Sequence, residues 1–308
     1  MSQNSWAIIA NPAAGRRRAE RSAKILAQAI QGRGERVEVS VTRGPGSAEE
    51  LAREAVKAGA TRVVACGGDG TVHEVVNGLM SVANGADGVA LGVLSSGRCN
   101  DFSFALGLPN GPAKAVDYLV RSAVRSIDLG RIGDRYFTTI ATLGFDSEVS
   151  QYVEQGSPPR FLRGTASYLY GAVVKLIKYR SQWVHLKGDF GEFQGDLFLA
   201  ATGNTTRYGG RMKMTPSAIV DDGLLDICLV RPVPRLVLLR MLPKTFYGGH
   251  VDHPAVSMHQ TRRLEIDSRE PLWLWADGEP ITQTPATIEV VPGALTVLVP
   301  PPEGKATE

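Results

Sequence analysis

Up to residue 127 the chain alternates between short apolar runs and amphipathic stretches, and this alternation strongly constrains its fold. Apolar or alternating runs typical of strands occur at residues 6–10, 37–41, 63–66 and 89–94. Between them, residues 18–30 and the segments after Ser47 and Thr71 place apolar side chains at helical spacing. Strands that alternate with helices predict an α/β domain with a parallel sheet covered by helices.

Two of the predicted helices begin with a pattern typical of a capping box. Ser47 is followed three residues later by Glu50, and Thr71 is followed in the same way by Glu74. In such a box the hydroxyl and the carboxylate each accept a backbone N–H of the first helical turn. We therefore expect helices that start next to Ser47 and Thr71.

From residue 128 onwards the pattern changes to strands in series. Strand-like runs occur at residues 137–143, 183–187, 197–201, 225–230, 264–267, 272–276, 287–291 and 295–299. Helical stretches are expected at 166–179 and 234–247. This order predicts a mostly antiparallel β-sandwich. We expect two domains, 1–127 and 128–308, with the last strands able to return towards the first domain.

Charge and cysteine content exclude several classes of protein. The 34 basic residues exceed the 31 acidic ones by only three, which does not favour nucleic acid as a partner. The three cysteines form no C-x-x-C pair, which argues against a disulfide framework and favours a reducing compartment. No apolar run approaches the ~18 residues of a membrane-spanning helix. We expect a cytoplasmic protein.

A glycine-rich turn, Cys66-Gly67-Gly68-Asp69-Gly70-Thr71, follows one predicted strand and opens a helix. Such glycines let the backbone approach a ligand closely, and a helix N-terminus binds phosphate. A carboxylate would repel phosphate unless a divalent cation lay between them, so Asp69 predicts Mg²⁺ and a nucleoside triphosphate. The alternative is a tight turn whose aspartate only complements the helix dipole.

Three further glycine-bearing turns, at residues 11–15, 42–46 and 95–101, follow other strands of the predicted parallel sheet. Ligands of open α/β sheets bind at the carboxyl ends of the strands. Because all four turns are expected at that edge, we expect them to form one nucleotide site.

The ordered motifs resemble the diacylglycerol kinase catalytic-domain family, which includes bacterial lipid kinases, sphingosine kinases and ceramide kinases. The matching segments are Asn11-Pro-x-x-Gly15, Gly67-Gly-Asp-Gly-Thr71, Gly97-x-x-Asn100-Asp101-Phe102, Gly144-Phe-Asp146, Gly209-Gly210, Asp221-Asp222-Gly223-x-Leu225-Asp226 and Asp277-Gly-Glu279. The resemblance covers about residues 5–299. Gly-Gly-Asp-Gly-Thr is shared with NAD kinases, and the other motifs favour the lipid-kinase branch.

The resemblance implies ATP in a cleft between two domains and Mg²⁺-dependent transfer of the γ-phosphoryl group to a lipid hydroxyl. Asp69 would act on the catalytic Mg²⁺ or its phosphates, and Asp101 would support that site. By matching position, the residues at the nucleotide are Asn11, Pro12, Ala13, Ala14, Gly15, Thr42, Gly67, Gly68, Asp69, Gly70, Thr71, Val72, His73, Arg98, Asn100 and Asp101.

The same resemblance assigns Asp277 and Glu279 to the acceptor hydroxyl. We expect Glu279 to be the general base, with Asp277 as the second candidate; the alternative is a hairpin turn with solvated acids. A second, structural Mg²⁺ is implied at Asp222, the Leu224 carbonyl and a group near Ile219. The apolar segment 161–179 is expected to be a core helix or a lipid-facing wall.

The loop at residues 95–101 departs from the family pattern Pro-x-Gly-Thr-x-Asn-Asp, because Ser95 replaces the proline and Arg98 the threonine. Arg98 could stabilise phosphate charge, or it could fill the pocket and abolish binding. The main expectation is a kinase for diacylglycerol or a sphingoid base at a membrane surface, with peripheral membrane association. The alternatives are an NAD kinase-like enzyme and a nucleotide-binding protein without turnover; a homodimer is compatible with the sequence.

Overall fold

The computed structural model describes residues 4–82, 87–109, 111–159, 161–162 and 165–301, without the side chains of residues 16, 17, 112 and 165. Residues 163 and 164 of the apolar segment 161–179 therefore lie outside the described residues. The described chain divides into two compact units. Unit 1 contains the residues up to Ile127 and those from Gly293 onwards, and unit 2 contains Asp128–Pro292.

Unit 1 is an α/β unit built on a parallel sheet. Its strands are β1 (Ser5–Ala10), β2 (Arg36–Val41), β3 (Arg62–Gly67) and β4 (Ala90–Ser95). They lie in the order β2-β1-β3-β4, and every neighbouring pair is parallel. Thr296 and Val297, near the end of the chain, add a further parallel strand next to β4. The sheet has the architecture that the alternating pattern predicts.

The helices of unit 1 connect these strands. They are α1 (Arg18–Gln31), preceded by a 3₁₀ turn at Ala14–Arg17, α2 (Ser47–Lys57), α3 (Asp69–Met80), α4 (Asp101–Ala105) and α5 (Pro112–Arg121). In α1, Ala19, Ala23, Leu26 and Ile30 are all buried at helical spacing. This apolar stripe gives α1 a face that packs into the core.

Both predicted capping boxes are wrong. Gly46 caps α2, and the Ser47 Oγ accepts from the N–H groups of Arg43 and Gly44 in the preceding turn. The helix α3 begins at Asp69, two residues before Thr71. The Glu74 carboxylate caps α2 instead, because it accepts the N–H groups of Gly46 and Ala48 at 2.9 Å each.

Unit 2 contains two antiparallel sheets. Its elements are β5 (Ala123–Ile132, which begins in unit 1), β6 (Arg135–Phe137), β7 (Ile140–Gly144), α6 (Phe145–Glu154), α7 (Thr165–Leu176), β8 (Gln182–Gly188), β9 (Gly191–Leu197), β10 (Leu199–Gly203), β11 (Leu225–Val230), α8 (Arg235–Met241), β12 (Val256–Thr261), β13 (Arg263–Ser268), β14 (Trp273–Ala276), β15 (Glu279–Gln283) and β16 (Ala286–Val299, which ends in unit 1).

The two sheets of unit 2 form the predicted sandwich. One has the order β12-β11-β10-β7-β14-β15. In the other, β13 pairs with β8 and with the start of β16, and β8 pairs with β9. Both sheets contribute to one core, whose members include Leu143, Ile227, Leu274, Val184, Leu264 and Ile288.

The other face of the six-stranded sheet is covered by α6, α7 and α8. A second core forms there, in which Ile140, Phe198 and Val230 of the sheet region pack with Val149, Ala172 and Met241 of the helices. A 3₁₀ turn, Leu242–Phe246, follows α8, so the predicted helix 234–247 is shorter than expected. No helix within the described part of the chain has the length and apolar character needed to cross a membrane.

Candidate functional site

Three loops of unit 1 pack on one another at the carboxyl ends of β1, β3 and β4, and two glycines make this contact possible. A Cβ atom on Gly97 would lie 2.5 Å from the Gly68 Cα. At Gly15, which has a φ of +60°, a Cβ atom would lie 2.6 Å from the Ser96 carbonyl oxygen. No larger residue fits at either position without moving backbone.

Hydrogen bonds hold the same loops together. The Asn11 side-chain amide donates to the Thr71 Oγ1 at 3.0 Å, and its backbone N–H donates to the Cys66 carbonyl at 2.9 Å. The Ser96 N–H donates to the Gly67 carbonyl at 2.7 Å. The structure thus brings together three of the four predicted loops, 11–15, 67–71 and 95–101.

Asp69 lies at the centre of this cluster, as the first residue of α3. Its Oδ2 accepts the Asn100 N–H at 2.7 Å. Asn100 has a φ of +55°, and its side chain bonds to both the N–H and the carbonyl of Gly97. The first-turn N–H groups of a helix have no acceptor within the helix, so the start of α3 can bind an anion beside the Asp69 carboxylate.

The remaining predicted nucleotide residues differ in their exposure. Thr42 is buried, and its N–H donates to the Ala10 carbonyl at the end of β1. Val72 and His73 are buried within α3, and Asp101 is buried at the start of α4. Pro12, Ala13 and Ala14 form a turn in which the Ala13 N–H donates to the Asn11 Oδ1, and Gly70 lies in the first turn of α3.

The side chain of Arg98 is exposed and makes no hydrogen bond or ion pair with another described residue. The pKa of the neighbouring Cys99 thiol is affected by the charged residues of the site. Burial and the nearby carboxylates of Asp101 and Asp69 raise the pKa of its thiol to about 12, while Arg98 opposes this shift. The negative charges of Asp69 and Asp101 therefore both reach the position of the Cys99 thiol in this loop.

In unit 2, Asp277 and Glu279 have different surroundings. The Asp277 carboxylate accepts the N–H and hydroxyl of Thr138 at one oxygen and those of Thr139 at the other. Asp277 also has a φ of +53°, in the turn between β14 and β15. Glu279 is exposed and begins β15. The Asp277 carboxylate thus links the turn between β14 and β15 to Thr138 and Thr139, and Glu279 directly follows this turn.

The turn at the predicted structural metal site is held by carboxylates. The Asp222 Oδ1 accepts the Leu224 N–H at 3.0 Å, and Ile219 is exposed. The Gly223 N–H donates to the Asp128 Oδ2 at 2.7 Å. Sequence reasoning missed the buried Asp128, although an acid within the apolar run Ile127–Leu129 is a signal for such a role. The described residues contain no cluster of three His, Cys, Asp or Glu side chains suited to a metal ion.

Sequence reasoning also gave no role to Asp146, although it lies in one of the matching motifs. Its side chain is buried, and the hydroxyl groups of Tyr168 and Tyr208 both donate to its Oδ1. Burial raises the pKa of this carboxyl group, and the hydroxyls of Tyr168, Tyr208 and Thr142 oppose the shift. Asp146 lines an apolar cavity beneath α7 and α8.

Comparison with known proteins supports the resemblance over both units. Residues 5–132 match the diacylglycerol kinase catalytic domain, and residues 139–299 match the YegS C-terminal NAD kinase beta sandwich-like domain. A protein of Chromohalobacter salexigens named probable lipid kinase YegS-like is 36% identical over 273 residues, which are 89% of this chain and 86% of the relative. The chain belongs to the diacylglycerol kinase catalytic-domain family.

One further relative and one solved structure extend the match. A diacylglycerol kinase of Mycobacterium tuberculosis is 34% identical over 299 residues, which are 95% of this chain and 94% of the relative. The crystal structure of a diacylglycerol kinase from Bacillus anthracis has the same fold, with a TM-score of 0.77 at 21% identity over 98% of each chain. The chain is thus a member of a lipid-kinase family, which implies a kinase that uses ATP.

Proposed function

We propose that this protein transfers the γ-phosphoryl group of ATP, with Mg²⁺, to the hydroxyl group of a lipid, either diacylglycerol or a sphingoid base. The observation that carries the proposal is the cluster of three loops at the carboxyl ends of β1, β3 and β4. It combines a helix N-terminus suited to phosphate with the carboxylate of Asp69.

The residues around Asp69 fit a nucleotide with its metal ion. Mg²⁺ in kinases is commonly bound by one or two carboxylates together with the substrate phosphates, so it needs no cage of protein ligands. Asp69 would hold the ion, and the Asn100 N–H bond fixes the orientation of its carboxylate. When bound, Mg²⁺ neutralises phosphate charge. The N–H groups at the start of α3 would bind the phosphates.

At the acceptor hydroxyl, the contacts favour Glu279 over Asp277 as the general base. Both oxygens of Asp277 already accept two hydrogen bonds each from Thr138 and Thr139. A base must reach the proton that it removes, and the exposed carboxylate of Glu279 is better placed for this. In this proposal Asp277 is a positioning residue, and Glu279 accepts the proton of the lipid hydroxyl.

The side chain of Arg98 is exposed, which favours contact with bound phosphates over a pocket that Arg98 fills. Its exposure therefore supports the proposal of an active enzyme. We infer that it contributes positive charge to the bound phosphates where the family pattern has threonine. The variant Arg98→Thr tests this directly. Reduced transfer supports the role of Arg98, whereas activity that appears only in the variant would favour a nucleotide-binding protein without turnover.

We also propose that the protein is cytoplasmic and acts at a membrane surface. Exposed apolar side chains in unit 2 support the action at a membrane surface. Leu236 of α8 is 70% exposed, Tyr247 65%, Ile177 64% and Phe161 82%. Apolar side chains at this exposure can enter the interfacial region of a bilayer. Co-sedimentation with lipid vesicles tests this proposal. We expect the wild-type protein to sediment with the vesicles and Leu236→Ser to reduce the bound fraction.

A transfer assay with labelled ATP tests the main proposal. The acceptors are diacylglycerol, a sphingoid base and NAD in parallel, so that the NAD kinase-like alternative is tested in the same experiment. We expect labelled lipid from the wild-type protein, and loss of label for Asp69→Ala and Glu279→Ala. Label in NAD alone, or unchanged transfer in both variants, would contradict the proposal. Thermal unfolding of each variant controls for folding.

A further inference from the structure

Two consecutive threonines, Thr138 and Thr139, connect β6 to β7 and lie outside both strands; we call them the threonine link. Both residues are buried, so their polar groups need partners within the protein. Their two backbone N–H groups and their two hydroxyls all donate to the Asp277 carboxylate. The two carbonyl oxygens of the link are the groups left to bond elsewhere in unit 2.

Asn204 donates hydrogen bonds to both of these carbonyls. Its backbone N–H donates to the Thr139 carbonyl at 2.8 Å, which also accepts the Thr205 N–H at 3.3 Å. Its side-chain Nδ2 donates to the Thr138 carbonyl at 3.3 Å. The same Nδ2 donates to the Asp128 carbonyl of β5 at 2.8 Å. The Asn204 amide, which is 0% exposed, therefore ties the threonine link to β5.

The threonine link in turn holds the turn that precedes Glu279. Besides its carboxylate bonds, Asp277 donates its backbone N–H to the Ile140 carbonyl at 3.2 Å. Asp277 and Gly278 have φ values of +53° and +87° and form the two-residue turn between β14 and β15. Because a hairpin turn of two residues with positive φ has a defined geometry, the position of Asp277 determines where Glu279 begins β15.

We propose that Asn204 is a positioning residue for Glu279. Its Nδ2 orients the threonine link, the link holds the Asp277 carboxylate, and Asp277 fixes the turn that Glu279 follows. The inference rests on the proposed function, in which Glu279 accepts the proton of the lipid hydroxyl. A general base acts only when it lies within hydrogen-bond reach of that proton, so its backbone must be held in place.

The oxygen of the same amide indicates that the side chain contributes orientation more than stability. The Asn204 Oδ1 is buried and has no hydrogen-bond partner among the described residues. A buried polar atom without a partner costs free energy, which offsets part of the contribution of the two Nδ2 bonds. We therefore expect a substitution of Asn204 to slow phosphoryl transfer more than a substitution of equal cost in stability elsewhere in unit 2.

The variant Asn204→Leu tests this role, because it is close to asparagine in size and removes both Nδ2 bonds. In the transfer assay its kcat should fall about tenfold, since a slight displacement of a catalytic group slows the reaction. The KM for ATP should stay unchanged, because the candidate nucleotide loops belong to unit 1. If Asn204→Leu does not fold, Asn204→Asp removes at least one of the two bonds in either protonation state and should lower kcat severalfold.

The matched control is Thr284→Val, at the opposite end of the hairpin that carries Glu279. Thr284 is buried, its Oγ1 accepts the Leu272 N–H at 3.0 Å, and it also bonds to the Ser268 hydroxyl. The substitution weakens the ends of β14 and β15 without changing the threonine link. We expect a lower melting temperature but a kcat within about twofold of the wild-type value.

Hydrogen exchange gives a second readout that needs no substrate. The N–H groups of the threonine link donate to Asp277, so peptides that cover residues 135–141 report on these bonds. Exchange in these peptides should be about tenfold faster in Asn204→Leu than in Thr284→Val, at a temperature where both variants are folded. A role in stability alone would not produce this difference.

The outcomes separate this inference from the kinase proposal. A wild-type kcat in the folded Asn204 variants, an equal loss of kcat in Thr284→Val, or unaltered exchange in the threonine link would overturn the inference. Failure of both Asn204 variants to fold would make Asn204 a residue of the core and would also overturn it. If the wild-type protein phosphorylates no lipid but exchange changes as expected, the positioning of the turn is supported and only the kinase proposal is overturned.

Discussion

The different roles of Asp277 and Glu279 give a prediction that separates stability from catalysis. Asp277→Asn keeps the size of the side chain and tolerates the positive φ of this position. It replaces one acceptor oxygen with an NH₂ group that faces the N–H of Thr138 or Thr139. Glu279→Gln makes the same chemical change two residues later, at an exposed position.

The cost of Asp277→Asn follows from the bonds that it changes. Thr138 and Thr139 are only 2% and 4% exposed, so water does not replace a lost acceptor. One unsatisfied N–H and the loss of charge at three other bonds together cost about 3 kcal/mol. For a domain of this size that lowers the melting temperature by roughly 6–12 °C. The exposed Glu279→Gln should change stability by less than ~0.5 kcal/mol.

Calorimetry and the lipid transfer assay, both run on each variant, check this prediction. Glu279→Gln should lower transfer by about 10²–10⁴-fold, as expected for loss of a general base, with an unchanged melting temperature. Asp277→Asn should lower the melting temperature. At temperatures where this variant is folded, its transfer rate should be within about tenfold of that of the wild-type protein. A stable Asp277→Asn protein without transfer would refute the assignment and make Asp277 the base.

Three further predictions concern unit 1 and the thiols. Glu74→Ala should cost about 1 kcal/mol because it removes the cap of α2, whereas Glu50→Ala should be neutral in thermal unfolding. Gly97→Ala should cost about 1–3 kcal/mol and weaken ATP binding in calorimetry, because its Cβ would meet Gly68; Gly44→Ala, which meets no atom within 4 Å, should change neither. Burial raises the pKa of each cysteine thiol to about 12, so at pH 8 the folded protein should react with a thiol reagent far more slowly than the unfolded chain. The three thiols are those of Cys66, Cys99 and Cys228. Equal unfolding temperatures for Glu74→Ala and Glu50→Ala, normal ATP binding by Gly97→Ala, or rapid labelling of folded protein would contradict the respective argument.

The order of the main elements could be predicted because it depends on local patterns. Buried strands such as β1, β3 and β11 each contain an apolar run of at least four residues, and α1 has one apolar face. The strand β9, by contrast, has the sequence GEFQGDL with mostly exposed residues, so no apolar period identifies it. The expected strands 287–291 and 295–299 are parts of one strand, β16, because the intervening Pro292 and Gly293 do not end it.

The candidate nucleotide loops were predictable for the same reason, because each combines glycines with the end of a recognisable strand. The capping boxes were not, since the true partner of the α2 N-terminus is Glu74, 26 residues beyond Ala48. The partners of Asp277 lie 138 and 139 residues away. Contacts at such separations depend on the folded arrangement and leave no local signal.

The central claim is that this protein phosphorylates a lipid hydroxyl, and lipid mass spectrometry after overproduction tests it most directly. The matched sample is the Glu279→Gln variant produced to the same level, since it should fold but not transfer phosphate. We expect a phosphorylated lipid, formed from diacylglycerol or a sphingoid base, that accumulates only with the wild-type protein. Identical phosphorylated-lipid profiles in the two samples, with both proteins folded, would contradict it.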